Sequence, residues 1–121
     1  MDEDQKKIVV ADDNKELCDV LKEILEGEGY KVDCVHDGFS LISYLKKVQD
    51  IDVVILDLIM PVKGGISVFD TVRSVSPASK LVIYTAYLDY KNSIFAKKAD
   101  AFISKTEDVE GLINTIHELM E

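Results

Sequence analysis

Strands that alternate with helices leave a chain few ways to fold, and this chain alternates along its whole length. Four runs are apolar, rich in β-branched residues and continuous: Ile8-Val9-Val10-Ala11, Val53-Val54-Ile55-Leu56, Leu81-Val82-Ile83-Tyr84 and Ala101-Phe102-Ile103. Continuous runs indicate burial on both faces, as in a parallel sheet covered by helices. A fifth run, Lys31-Val32-Asp33-Cys34-Val35, mostly alternates and fits an edge strand with one wetter face.

Helical periodicity fills the gaps. Leu17, Val20, Leu21, Ile24 and Leu25 share one face after the first strand. Leu41, Ile42, Leu45 and Val48 give a shorter helix after the second. Val68, Thr71, Val72 and Val75 repeat the pattern after the third, and Val109, Leu112, Ile113 and Ile116 near the C-terminus. Between the fourth and fifth strands the pattern is weak, with only Ile94, Phe95 and Ala96 as an inner face within Tyr90–Lys97. Gly27 and Gly29 should stop the first helix and Ser76-Pro77 the third. The order βαβαβαβαβα predicts a doubly wound α/β fold, with a parallel sheet, right-handed crossovers and helices on both faces.

Composition narrows the class. The 121 residues make one domain, and 47% apolar content is enough for a core. Fourteen Lys+Arg against 23 Asp+Glu give a net charge of −9, which disfavours binding to nucleic acid or an anionic membrane. Cys18 and Cys34 are separated in sequence and form no C-x-x-C pair, so neither a disulfide framework nor a zinc site is expected. A reducing cytoplasm is the expected location. No apolar run approaches the roughly 18–20 residues that span a bilayer. The acidic start Met1-Asp2-Glu3-Asp4 does not resemble a signal or transit peptide.

Function in open α/β sheets sits beyond the carboxyl ends of the strands. Asp12 and Asp13 follow the first strand and Asp57 the third. Thr85 ends the fourth, and Ser104 and Lys105 follow the fifth. Each alone has a plain structural use: a helix cap, a turn, a solvated lysine. Together they gather three carboxylates, a hydroxyl and an ammonium on one rim. Two like charges ~4 Å apart repel by about 4 kcal/mol at an effective dielectric near 20, so the acids require a cation. An all-oxygen, acidic site suits Mg²⁺. Mg²⁺ with Lys105 and the Thr85 hydroxyl would let a phosphoryl group approach and a carboxylate attack it.

The set resembles the receiver domain of two-component response regulators, over essentially residues 1–121. The resemblance rests on Val9-Val10-Ala11-Asp12-Asp13-Asn14, on Leu56-Asp57-Leu58-Ile59-Met60-Pro61 with Gly64-Gly65, on Tyr84-Thr85-Ala86 and on Ser104-Lys105. It implies a flavodoxin-like, five-stranded sheet of order 2-1-3-4-5. It implies that Asp57 accepts a phosphoryl group from a sensor histidine kinase or phosphotransfer protein. Asp13 would bind Mg²⁺ directly, Asp12 through water, and the Ile59 backbone carbonyl would add a ligand. Lys105 would pair with a phosphoryl oxygen, Thr85 would move to bond it, and Phe102 would be the aromatic switch residue that packs inward on activation. The chain would be a signalling switch rather than a turnover enzyme.

Two departures stand out. The family usually places a cis proline after the lysine; here Thr106 follows Lys105. A cis bond there would cost roughly 2.5–4 kcal/mol, so the loop is either trans and reshaped or strained. The interval from Thr85 to Lys105 is also shorter than usual, which predicts a short or irregular fourth helix. Ile59 and Tyr87, each two residues past a site residue, should screen the acyl phosphate from water and slow its loss. His36 and His117 are expected at the surface or an edge, without catalytic or metal roles. Tyr84, Tyr87 and Tyr90 are candidates for an aromatic partner patch, with Tyr84 alternatively in the core.

Other classes fit less well. A flavodoxin-like cofactor binder needs a hydroxyl- and glycine-rich loop where Asp12-Asp13-Asn14 stands. An aspartyl phosphatase needs a second aspartate in Asp57-Leu58-Ile59. A receiver that signals by protein contacts without phosphorylation is the remaining alternative, opposed by Asp13, Asp57, Thr85 and Lys105. No basic DNA-reading helix follows within 121 residues, so the effector is expected to be separate or fused outside this segment.

Overall fold

The computed structural model of the chain describes residues 5–60, 64–87 and 93–121. Ten elements alternate: β1 (Lys7–Ala11), α1 (Lys15–Gly27), β2 (Lys31–Val35), α2 (Gly38–Lys47), β3 (Val53–Leu56), α3 (Gly65–Val75), β4 (Lys80–Thr85), α4 (Ile94–Lys98), β5 (Ala101–Ser104) and α5 (Val109–Met120). The strands form one sheet of order β2-β1-β3-β4-β5 with every pair parallel. This is the expected order. The chain reverses direction across the sheet between β1 and β3, which opens a crevice at their carboxyl ends.

Alternate residues of the central strands face two separate cores. Val9, Val54, Leu56 and Leu81 pack with Leu41, Leu45, Phe69 and Val72 from α2 and α3. Ile8, Val10, Ile55 and Val82 pack with Leu21, Leu25, Leu112 and Ile116 from α1 and α5. β1 and β3 are buried almost throughout, as their continuous apolar runs require.

Several details depart from the periodicity. The buried stripe of α1 is Cys18, Leu21 and Leu25, whereas Val20 is exposed. In α3 the buried side chains include Phe69 beside Val68 and Val72, and Thr71 faces solvent. Both shifts rotate the helix by about one position, because the sheet decides which side is covered. Gly27 lies inside α1, Glu28 is the C-cap, and Gly29 takes the left-handed turn at φ +97° that leads back to β2. β5 is only half-buried along most of its length, because the sheet order makes it an edge like β2. Tyr84 belongs to the core.

The expected weak helix is short. Residues 90–92 of the stretch lie outside the described residues, and α4 has five residues. One turn and a half cannot hold itself. Its C-terminal end is held by Arg73 of α3, which donates to the Lys98 carbonyl at 2.7 Å and pairs with Asp100 at 3.2 Å. Phe95 meets Phe69 edge-on, with ring centroids 5.6 Å apart. The far end of the molecule has its own tie. Tyr30 and His117 hydrogen-bond at 2.7 Å, and His117 meets Glu28 at 2.9 Å, joining α5 to the end of α1. His117 is therefore a bridging residue and not merely a surface one.

Phe69 is fully buried and also anchors α4. Phe69→Ala should cost about 3–5 kcal/mol in urea unfolding. It should also speed amide exchange in α4 more than in α5.

Candidate functional site

The site forms where β1, β3, β4 and β5 end. Asp12 follows β1; its amide donates to the Val35 carbonyl at 3.1 Å, so pairing with the β2 strand extends one residue past β1. Its carboxylate accepts from the Asn14 amide at 2.9 Å, which turns the chain into α1. Asn14 then caps α1, accepting from the Leu17 amide at 3.0 Å. The capping use of this segment and its acidic use therefore coexist: Asn14 caps, Asp12 faces the rim, and Asp13 is exposed.

Asp57 follows β3, with its amide donating to the Ala11 carbonyl at 3.0 Å. Asp12 and Asp57 are 2% and 4% exposed, far below the norm for aspartate. Their burial is tolerated because Lys105 lies between them. Its ammonium is 2.6 Å from Asp12 Oδ2 and 3.0 Å from Asp57 Oδ2. Oxygens of Asp12, Asp13 and Asp57 lie within 4.8 Å of one another. Three formal negative charges then face one positive charge, and the donor set is all oxygen. That is the chemistry of a divalent hard cation.

The strand ends are locked by glycine. A Cβ on Gly65 would lie 2.2 Å from the Asp57 carbonyl oxygen and 2.9 Å from Leu58 Cα. Only glycine lets the start of α3 approach the backbone that carries Asp57.

Thr85 is fully buried, and its hydroxyl oxygen accepts from the Tyr87 amide at 3.3 Å. Its carbonyl accepts from the Lys105 amide at 2.9 Å, which ties β4 to the lysine loop. No cis peptide occurs among the described residues, so the Lys105–Thr106 bond is trans. The loop is reshaped in another way. Ser104 and Thr106 hydroxyls bond at 2.6 Å, and the Thr106 amide donates to Ser104 Oγ at 3.1 Å. This local turn delivers the Lys105 ammonium to both acids without proline.

Ile59 and Tyr87 both line the cleft beside Asp57 and Lys105, and both are substantially exposed, at 36% and 50%. The cleft measures about 340 Å³. Phe102 lies half-buried against the α2–α3 core, two strand positions from the level of Thr85 and Ser104 on the edge strand. Pro61 and Tyr90 lie outside the described residues. His36 was expected at the surface or an edge, without a catalytic or metal role. Its Nδ1 donates to the Asp12 carbonyl at 2.9 Å, so it holds the backbone of a rim acid. No spacing in the sequence signals that contact, because the two residues meet only through the β1–β2 pairing.

Burial above all pushes the Asp12 carboxyl up from its ordinary 3.8, against hydrogen bonds from Lys105 and Asn14 that lower it. For Lys105, burial pulls the ammonium down, but hydrogen bonds and charges of Asp12 and Asp57 outweigh it and the net shift is upward. A carboxyl raised on folding binds its proton more tightly in the native state. Its penalty on stability therefore grows as pH rises above 3.8 and is absent below it. Without divalent cations, Asp12→Asn should raise Tm near neutral pH, and the gain should shrink in acid. Circular dichroism melts at both conditions check this.

Comparison with known proteins agrees with this geometry. The response regulator TrrA of Thermotoga maritima, solved in complex with Mg(2+)-BeF, superposes with a TM-score of 0.87 at 30% identity, covering 95% of this chain and 99% of that one. A receiver domain protein from Methanospirillum hungatei gives a TM-score of 0.87 at 27% identity, covering 94% and 92%. TrrA has also been solved in complex with the histidine kinase ThkA; that chain is 29% identical, with a TM-score of 0.87 and coverage of 97% and 100%. Among curated relatives, the transcriptional regulatory protein CpxR of Escherichia coli is 42% identical over 67 residues, 55% of this chain and 28% of that protein. ZraR of Escherichia coli is 28% identical over 122 residues, 99% of this chain and 27% of that protein. The chain thus spans under a third of the length of these relatives. The response regulator receiver domain family matches residues 8–117, and the chain belongs to it.

Proposed function

We propose that this chain is a phosphoacceptor switch, with Asp57 receiving a phosphoryl group from a histidine kinase or phosphotransfer protein. The observation that carries the reading is the Lys105 ammonium held 3.0 Å from Asp57 Oδ2 beside two further acids. Residues 1–121 then constitute one receiver domain, acting on a fused or separate effector through protein contacts. A net charge of −9 argues against direct nucleic-acid binding by this domain. Among the described residues no helix is long and apolar enough to cross a membrane; the reading is of a cytoplasmic module.

The donor set fits Mg²⁺, with Asp13, Asp12 (through water), Asp57 and the Ile59 carbonyl as its holders. The metal would neutralise charge on the phosphoryl oxygens. The rest is done by the chain. Asp57 Oδ attacks phosphorus, an O–P bond forms, and the N–P bond to the donor histidine breaks. Lys105 gives up part of its contact with Asp57 and pairs with a phosphoryl oxygen. The Thr85 hydroxyl, which can donate as well as accept, turns to bond another. The modification brings about −1.5 to −2 charge and three acceptors that exist only in the modified state. That difference biases the fold between two arrangements, with Phe102 packing inward on the β5 edge in the active one.

Incubation with Mg²⁺ and acetyl phosphate, followed by intact mass, tests the acceptor. One phosphoryl adduct is expected in the wild type and none in Asp57→Ala. Absence of an adduct on folded wild-type protein would favour signalling by contacts alone. Ile59 and Tyr87 line the cleft beside Asp57; on this reading they screen the acyl phosphate from water, and the adduct should be long-lived. Ile59→Asn and Tyr87→Glu should each shorten its half-life several-fold; unchanged decay rates would remove the shielding role.

A further inference from the structure

Two thiols distant in sequence meet just beneath the acidic rim. Cys18 lies on α1 and is 0% exposed, while Cys34 lies on β2 and is half-buried. Both are free. Both face the core between the sheet and the α1–α5 layer. Cys34 Sγ donates to the Cys18 carbonyl at 3.5 Å, which places the thiol of one against the backbone of the other. Cys18 Sγ in turn donates to the Asp12 carbonyl at 3.4 Å, the same oxygen that His36 Nδ1 bonds at 2.9 Å.

We propose that Cys18 and Cys34 form a thiol-oxidation site for hydroperoxides, closing a reversible disulfide that loosens the backbone of Asp12. The roles follow from exposure. Cys34 is the thiol a peroxide can reach, and Cys18 is the enclosed partner that resolves it. Cys34 sulfur attacks the terminal peroxide oxygen; the O–O bond breaks, the alcohol leaves (water, for hydrogen peroxide) and Cys34 becomes a sulfenic acid. Cys18 sulfur then attacks Cys34 sulfur; the S–O bond breaks, the S–S bond forms and water leaves. Two thiols are oxidised by two electrons and one hydroperoxide is reduced. The neighbouring Cys18 side chain, above all, draws the Cys34 thiol below its ordinary pKa, which favours the attacking thiolate there.

The coupling to the rim is direct. Disulfide formation removes the Cys18 S–H, and with it one of the two side-chain donors to the Asp12 carbonyl. It also imposes a fixed torsion between α1 and β2. The consequence for metal binding rests on the reading of Asp12 as a Mg²⁺-site residue. The affinity for Mg²⁺ should fall several-fold, as when a supporting partner of a metal ligand is lost.

Full-length chain would be treated with hydrogen peroxide, and intact mass read before and after dithiothreitol. The wild type should lose two hydrogens in one molecule and regain them on reduction. Cys34→Ser should show no such loss, and its folding is checked by circular dichroism. A sulfinic acid at Cys34, a disulfide between two molecules, or no change in mass would overturn the proposal. Calorimetric titration with Mg²⁺ then compares reduced and oxidised protein. Equal affinities would overturn the coupling alone. Failure of the reduced protein to bind Mg²⁺ would instead overturn the metal reading, leaving the mass result to decide the thiol site.

Discussion

One ammonium between two buried carboxylates is the contact on which the rest of the molecule depends. Lys105 reaches Asp12 and Asp57 at 2.6 and 3.0 Å. Without it, two like charges in a crevice of low polarity would repel each other with no counter-charge between them. To bring these three residues together, β1, β3 and β5 must end on the same rim. That requires all strands to run in parallel, and the reversal between β1 and β3 creates the opening. The scaffold therefore carries a net negative charge at one edge, which a divalent cation would offset.

The same imbalance explains why the site is costly and why the rest of the fold is conventional. The Asp12 carboxyl is raised by its burial, so the acidic rim weakens the domain. Two apolar cores, one on each face of the sheet, supply the stability that the rim does not. The least self-sufficient element, α4, sits next to β4 and β5, where Thr85 and Phe102 lie. It is held from outside by Arg73 and Phe69 rather than by its own length. An element held this way is suited to rearrange when the rim changes charge, because few internal hydrogen bonds must break.

The lysine loop shows how one geometry is reached by different chemistry. With Thr106 in place of proline, hydroxyl contacts between Ser104 and Thr106 form the turn, and the peptide stays trans. The ammonium arrives at both acids all the same. What the position requires is a turn that aims Lys105 inward, and more than one local sequence satisfies that requirement.

Residue pattern alone determined the element order, the parallel sheet and the gathering of Asp12, Asp13, Asp57, Thr85 and Lys105 on one rim. These follow from short-range rules: continuous apolar runs are buried strands, and strand ends in such a sheet share a side. Helix faces were less legible. Val20 and Thr71 fit the period but lie outward, while Cys18 and Phe69 lie inward, because the sheet's twist selects the covered face. Only the tertiary structure decided contacts between elements remote in sequence. His36 and Cys18 on the Asp12 carbonyl, Cys34 against Cys18, and Gly65 against the Asp57 carbonyl all arise where two elements cross. Such meetings depend on how far one surface slides along another, and local periodicity carries no information about that distance.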